Sequence, residues 1–345
     1  MTRTSESALP NDPPPIPTGP FGTEFVETMT TATWVDGTWS DPETVPTGPL
    51  SLHPAAHSLH YASACFEGLK AHRGSDGEIR IFRLDRHVER MRQSARTLML
   101  PVPPSDMMAE MIRKVVRDNR SEIPAAPGSL YLRPTLFGTE PNIGAAAAPS
   151  REALLYVLGS PVGDYFQGGI RPLKIAIETE RPRTTPQFGM VKSGANYAMA
   201  LGVTQEAKRT LGIDQVLFAP GGDVTETGAS NFVLIDDERI VTKGLDESFL
   251  HGITRDSVLR IGEELGYRVE ERDLDVAEIL GWRGEAALTG TAAILAGVGW
   301  FVYHGESHPV GDGSVGENTL RLRKALTDLQ IGERPDPNGW NELVP

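Results

Sequence analysis

One lysine stands in unusual company. Lys192 lies in Gly189-Met190-Val191-Lys192-Ser193-Gly194-Ala195-Asn196-Tyr197, among small and apolar residues. Burial disfavours an ammonium ion, lowers its pKa and frees a neutral amine to attack a carbonyl. The same local sequence fits a surface lysine that snorkels from the end of a strand. A carboxylate follows in Val224-Thr225-Glu226-Thr227-Gly228-Ala229-Ser230-Asn231-Phe232, a Thr/Gly/Ser-rich turn leading into an apolar strand. By itself this is a hairpin turn. Beside a nucleophilic lysine, Glu226 gains a role. A pyridine-ring cofactor needs an anion to keep its ring nitrogen protonated, so that the ring can draw electrons.

A place for an anion is also present. Gly252-Ile253-Thr254 precedes a helical pattern, so backbone N–H groups and the positive helix end would face a phosphate. Thr289-Gly290-Thr291-Ala292 offers hydroxyls and flexible backbone, and Arg90 lies on a predicted helix. Singly, each is a weak signal: such a threonine is more often just an N-cap, and such an arginine more often a solvated helix residue. Together, lysine, carboxylate and phosphate cup describe a site for pyridoxal 5′-phosphate.

The elements that must position these groups alternate in type. Short alternating or apolar runs stand at Ser51-Leu52-His53, Ile79-Arg80-Ile81-Phe82 and Leu130-Tyr131-Leu132. Val88, Met91, Ala95 and Leu98 recur at helical spacing, which predicts an amphipathic helix over 85–98, stopped by Pro101, Pro103 and Pro104. A second helix is predicted over 107–118, and a buried strand over 153–158. In the second half, strands are expected at 173–177, 215–218, 231–235 and 269–272. Helices are expected at 196–209 and 275–280, and another runs from an N-cap at Thr254 to Leu265, closed by Gly266. The mixture implies an α/β or α+β chain. The glycine-rich stretch 159–171 marks a boundary: a tail over 1–20, a smaller unit over 21–160, a loop over 161–171 and a larger unit over 172–345.

Composition excludes several classes. Lys+Arg is 33 and Asp+Glu is 46, a formal net charge of −13, which argues against a nucleic-acid partner. The single cysteine, Cys65, rules out an internal disulfide framework and a Cys-based zinc cluster, and reads as a small buried hydrophobe. His53, His57 and His60 form the one histidine cluster, but Pro54 interrupts it and no carboxylate stands near, so no metal site is expected. The N-terminal stretch lacks the apolar core of a signal peptide. The uncharged run 286–303 reads as a buried strand, a turn and a second short element rather than as a membrane span. A cytoplasmic protein with no membrane partner is expected.

The residues resemble the fold-type IV pyridoxal-phosphate enzymes, and among them the branched-chain amino acid aminotransferases. The likeness runs from about Phe21 to Trp340. It rests on motifs in one order, including Phe66-Glu67-Gly68-Leu69-Lys70-Ala71, Glu89-Arg90-Met91, Tyr131-Leu132-Arg133-Pro134-Thr135, Lys192 with Asn196-Tyr197, Glu226 with Asn231, Gly252-Ile253-Thr254-Arg255 and Thr289-Gly290-Thr291-Ala292. The resemblance implies two α/β domains with the site between them. Lys192 would form the Schiff base with the cofactor and shuttle the proton between the substrate α-carbon and C4′. Glu226 would hold the pyridine nitrogen and Tyr197 the O3′. Arg90, Ile253, Thr254 and Thr291 would form the phosphate cup. Tyr61, Phe66, Tyr131, Arg133 and Ala292 would meet the substrate, with Tyr131 and Arg133 receiving the distal carboxylate of glutamate. The implied reaction is ping-pong transamination of Leu, Ile or Val with 2-oxoglutarate, in a homodimer whose pockets borrow residues from the neighbour.

The sequence departs from the family pattern in places. The usual glycine-rich run before the lysine reads Thr185-Pro186-Gln187-Phe188-Gly189-Met190-Val191, and the pair of glycines after it reads Gly194-Ala195. Val233 replaces a preferred aromatic. The Cys-x-x-Cys pair of animal relatives is absent at Ala293–Ala296, which excludes thiol control of that kind. The bulk of Phe188 keeps a second reading open, a specialised fold-type IV aminotransferase or lyase for another amino acid. A catalytically silent cofactor-binding protein would not need Lys192, Glu226 and Tyr197 together.

Overall fold

Buried and half-buried residues alternate along the first part of Ala153–Val162, and with the largely buried first half of Thr28–Val35 they build a sheet with one face turned to a core. The computed structural model describes residues 13–163 and 170–345. Among the described residues there are two sheets. The first has nine strands and is wholly antiparallel, in the order Asn341–Val344, Ile79–Phe82, Leu69–Arg73, Ser129–Gly138, Ala153–Val162, Thr28–Val35 and Thr38–Trp39. Ala64–Phe66 also pairs with Ser129–Gly138, and Glu43–Pro46 with Thr28–Val35. Helices Leu84–Thr97 and Ser105–Asp118 cover one face, and Met91, Met108, Met111 and Ile112 are fully buried there.

The second sheet is mixed and has eight strands, in the order Gln215–Phe218, Leu173–Glu178, Ile294–Tyr303, Glu285–Gly290, Asn231–Ile235, Arg239–Thr242 and Arg268–Glu271, with Glu306–Pro309 beside Ile294–Tyr303. Helices Ile253–Glu264 and Glu317–Gln330 share a core with this sheet through Val258, Leu259, Ile261, Leu322, Leu326 and Leu329. Helix Gly194–Leu211 packs on the strand Gln215–Phe218 through Ala200, Val216 and Phe218.

Most predicted elements form within two residues of their expected ends. The run 286–303 is indeed two antiparallel strands joined at Thr291–Ala293. Three readings need correction. Ser51-Leu52-His53 forms no strand, and all three residues are exposed. The strand predicted over 153–158 continues to Val162, because Ser129–Leu132 keeps pairing past the glycine. Thr254 is inside its helix; Gly252 is the N-cap, and Leu265 the C-cap before Gly266.

The last strand, Asn341–Val344, pairs with Ile79–Phe82, so the chain end returns to the first sheet. Of the expected tail, residues 1–12 lie outside the described residues, as do 164–169 of the expected loop. His57 bonds to Ser63 Oγ at 2.8 Å and His60 to the carbonyl of Pro54 at 2.9 Å, so both rings are spent locally. Cys65 is fully buried, and burial, reinforced by the charge of Glu67, pushes its thiol up to about 12. Among the described residues no helix is long and apolar enough to cross a membrane.

Candidate active site

The lysine segment is held from several sides before any ligand is considered. Lys192 follows the single turn Pro186–Phe188 and precedes the helix Gly194–Leu211, whose N-cap is Ser193. Its backbone N–H donates to Ser94 Oγ at 3.0 Å, and its carbonyl accepts from the N–H of Phe66 at 3.0 Å. The buried Asn196 amide donates to the carbonyls of Phe188 and Val191, both at 2.9 Å, and accepts from Thr184 Oγ1 at 2.7 Å. Gly189 is needed here, since a Cβ would fall 2.1 Å from the backbone carbon of Ser248. The altered run before the lysine is therefore stapled to its neighbours, and Phe188 does not line the central cavity.

Lys192 Nζ donates to Tyr197 Oη at 2.9 Å and lies 5.1 Å from the centroid of the Phe66 ring. Burial alone would raise the Tyr197 phenol, but the charge of Lys192 and its hydrogen bond outweigh this and hold the phenol below its ordinary value. Glu226 is 2% exposed. Its Oε1 accepts from the N–H of Leu250 at 2.9 Å, and its Oε2 from Asn231 Nδ2 at 3.3 Å. Arg183 NH1 stands 2.8 Å from Oε1, an ion pair whose N–H is not aligned as a hydrogen bond. Burial raises the Glu226 pKa, although Arg183, the Leu250 N–H, Lys192 and Arg90 all pull the other way.

The anion cup has its own geometry. Helix Ile253–Glu264 starts behind Gly252 with no side-chain cap, which leaves its first N–H groups open to an anion. Gly252 is required, because a Cβ would meet Asn231 Oδ1 at 1.9 Å. Arg90 NH1 donates to the carbonyl of His251 at 3.0 Å, just before that helix start. Arg90 Nε and NH2 donate to Glu67 at 2.7 and 2.9 Å.

Phe66, Tyr131, Arg133, Lys192, Tyr197, Thr291 and Ala292 line one cavity of about 510 Å³, with walls from both sheets. Arg133 NH2 donates to Tyr131 Oη at 2.9 Å, and the guanidinium stacks 4.6 Å from the Phe66 centroid. Arg133 Nε is buried without a partner, as is Thr289 Oγ1. Ala292 borders the cavity while its carbonyl accepts from Lys70 Nζ at 3.3 Å. Arg90 and Ile253 line a separate, smaller space of about 160 Å³. Thr254 is 8% exposed at the helix start, and Glu226 is buried; neither borders the large cavity. Tyr61 is not brought to it, and its hydroxyl donates to the carbonyl of Ile143.

Arg183, Glu67 and His87 were not singled out from sequence. For His87 a signal existed. It shares the buried stripe of helix Leu84–Thr97 with Ser94, and polar residues on an apolar stripe ask for a purpose. No local signal marked Arg183.

The donor set fits a phosphorylated pyridine aldehyde: an amine beside a phenol, a buried carboxylate, open helix N–H groups beside an arginine, and an unpaired arginine nitrogen on a residue of the wall. With the two sheets flanking the cavity, this defines a fold-type IV pyridoxal-phosphate enzyme. Comparison narrows the assignment. Residues 64–298 match the family described as amino-transferase class IV. The chain is 39% identical over 332 residues to a probable branched-chain-amino-acid aminotransferase of Streptomyces coelicolor, covering 93% of this chain and 91% of that protein. It is 37% identical over 336 residues to the branched-chain-amino-acid aminotransferase of Mycolicibacterium smegmatis, covering 93% and 90%. Among solved structures, the T.th. branched-chain amino acid aminotransferase with pyridoxamine 5′-phosphate aligns with a TM-score of 0.75 at 29% identity, over 91% of this chain and 98% of that one. The Escherichia coli branched-chain enzyme aligns with a TM-score of 0.77 at 27% identity, over 91% and 99%. The chain belongs to the class IV aminotransferase family.

Proposed function

We propose that this protein transaminates the branched-chain L-amino acids Leu, Ile and Val, with 2-oxoglutarate as the amino acceptor, using pyridoxal 5′-phosphate. One observation carries the reading: Lys192 Nζ and Tyr197 Oη, 2.9 Å apart, line the same cavity as Phe66, Tyr131 and Arg133. The relatives reported above support the substrate class. Pyridoxal 5′-phosphate, when bound, supplies the electrophilic carbon and the electron-withdrawing ring.

The chain's own residues divide the remaining work. Lys192 Nζ would hold the cofactor carbon and, once the substrate amine displaces it there, the freed amine would move a proton between the substrate α-carbon and C4′. Tyr197 Oη, with its lowered pKa, orients Nζ and hydrogen-bonds O3′. Glu226, as a buried carboxylate paired with Arg183, would accept the hydrogen bond of the protonated ring nitrogen and keep that proton on the ring. Arg90, Thr291 and the N–H groups of Ile253 and Thr254 bind the phosphate. Phe66 and Tyr131 offer apolar surface to an aliphatic side chain, and Ala292 closes the same end. Arg133, with its buried unpaired Nε, takes the distal carboxylate of 2-oxoglutarate through a charge-assisted hydrogen bond.

We also propose the division of labour between copies. The two sheets mark two domains joined by the loop expected over 161–171, with the last strand, Asn341–Val344, returning to the first, and the working form is a cytoplasmic homodimer. Tyr61 sits away from its own cavity, and Leu59 and Ile143 near it are 60% and 65% exposed. A second copy would cover them and bring Tyr61 to the neighbouring site. Initial rates with L-leucine and 2-oxoglutarate test the chemistry. Parallel double-reciprocal lines, with 4-methyl-2-oxopentanoate and glutamate as products, are expected. Intersecting lines, or no keto acid from Leu, Ile or Val, would refute it. Light scattering tests the dimer: a single species at one chain's mass would refute that part.

A further inference from the structure

Glu67 is a buried carboxylate that the mechanism above leaves without work. It is 0% exposed, and it sits between Phe66, on the cavity wall, and Gly68. Four donors converge on it: Arg90 Nε on Oε1 at 2.7 Å, Arg90 NH2 on Oε2 at 2.9 Å, His87 Nδ1 on Oε2 at 2.7 Å, and the Gly68 N–H on Oε2 at 3.1 Å. So many donors are what a buried carboxylate needs to stay charged. Burial would raise its pKa, but the Arg90 charge and the His87 hydrogen bond more than offset that and hold it well below the usual carboxylate range. His87 is equally buried, and desolvation lowers its pKa, so it is neutral and donates through Nδ1.

This arrangement constrains one arginine more tightly than it needs for packing. The fork of Nε and NH2 on one carboxylate fixes the plane of the guanidinium. NH1 is then directed to the carbonyl of His251, one residue before the Gly252 N-cap. Arg90 is thereby held beside the open N–H groups at Ile253 and Thr254. We infer that Glu67, backed by His87, is a positioning residue for the cofactor phosphate, which it serves by fixing the plane of Arg90 beside the start of helix Ile253–Glu264. The inference rests on the reading that this cup takes the phosphate.

The test compares two ligands that differ only in that phosphate. Apoenzyme is titrated with pyridoxal 5′-phosphate and with pyridoxal, and binding is read from ring absorbance. For Glu67→Gln, affinity for pyridoxal 5′-phosphate should fall by about 10- to 100-fold, the usual scale for groups that orient a ligand-binding side chain. Affinity for pyridoxal should stay within about threefold, since only the phosphate contact is addressed. Glu67→Asp keeps the charge one methylene short and should lose less; it carries the same test if the Gln variant does not fold. In an Arg90→Lys background, Glu67→Gln should add no further loss, because both act through one group. Equal loss for both ligands, or losses that add in the double variant, would overturn the inference. A wild-type preference for the phosphorylated ligand that Glu67→Gln leaves intact would overturn the inference alone. No wild-type preference at all would overturn the cup reading and this inference with it.

Discussion

Gly68 gives the sharpest test of the substrate wall. A Cβ at this position would lie 1.9 Å from Tyr131 Oη and 2.8 Å from its Cζ. To restore ordinary contact, the tip of Tyr131 must retreat by roughly 1.5 Å. Tyr131 is only 9% exposed and its ring stands edge-on to Phe21 at 5.1 Å, so the retreat costs about 1–3 kcal/mol of stability as overpacking. It also breaks the 2.9 Å hydrogen bond from Arg133 NH2 to Tyr131 Oη. A hydrogen bond to a charged donor is worth about 1.5–3 kcal/mol, and that sets the functional loss at about 10- to 100-fold. The loss should fall on the dicarboxylate. Gly68→Ala should lower kcat/KM for 2-oxoglutarate by that factor, and for L-leucine by less, because an aliphatic side chain asks only for apolar contact. Single-turnover measurement of the two half-reactions, each followed by cofactor absorbance, separates the effects. Tyr131→Phe in the same background removes the closest clash and should recover stability without recovering 2-oxoglutarate. Equal losses in both half-reactions, or none, would refute the assignment of Tyr131 and Arg133.

Three further outcomes follow from other parts of the structure. Lys192→Ala should abolish transamination while leaving the fold intact; turnover by purified variant protein would remove the central assignment. Glu226→Gln should destabilise the apoenzyme to urea by about 3 kcal/mol, because it strands the 3%-exposed Arg183, whose other acceptor among the described residues is the Gly228 carbonyl at 3.3 Å. Adding Arg183→Met should return much of that loss, and a double variant as weak as the sum of the singles would contradict it. His72 is buried with Nε2 unpaired, and desolvation, then the charge of Lys70, lowers its pKa from 6.5 to about 3. The unfolded chain therefore binds the extra proton between those values, and stability falls as pH drops from about 6.5 towards 3, by about 2–3 kcal/mol at pH 4.5. His72→Gln should flatten that part of the urea stability profile; an unchanged slope would show the ring protonates freely.

The parts of the site that a sequence can show are those whose chemistry is local. Lys192, just before a helix start, and Glu226, in the turn that leads into its strand, stand out by residue type and local sequence, whereas Tyr197 was implied only by the family resemblance. The helix start at Ile253 was legible for the same reason, although its cap lies two residues before Thr254, at Gly252, where Asn231 Oδ1 leaves no room for a Cβ. Contacts across the fold were hidden. Arg183 reaches Glu226 from an irregular segment with no period, Lys70 meets Ala292 across 222 positions, and the last strand finds Ile79–Phe82 only through the tertiary fold. Helix Glu317–Gln330 carries Leu322, Leu326 and Leu329 at helical spacing and was within reach of the periodicity argument. The bulk of Phe188 stands out in the sequence, but the fold, not the sequence, shows that its carbonyl is tied to Asn196 and that it does not line this cavity.

Transamination of branched-chain amino acids by Lys192 and its cavity is tested most directly by the visible absorbance of the cofactor-loaded protein. Addition of L-leucine, L-isoleucine or L-valine should bleach the band, and 2-oxoglutarate should restore it. A band unmoved by those three, yet bleached by some other amine, would keep the cofactor chemistry and contradict the substrate assignment.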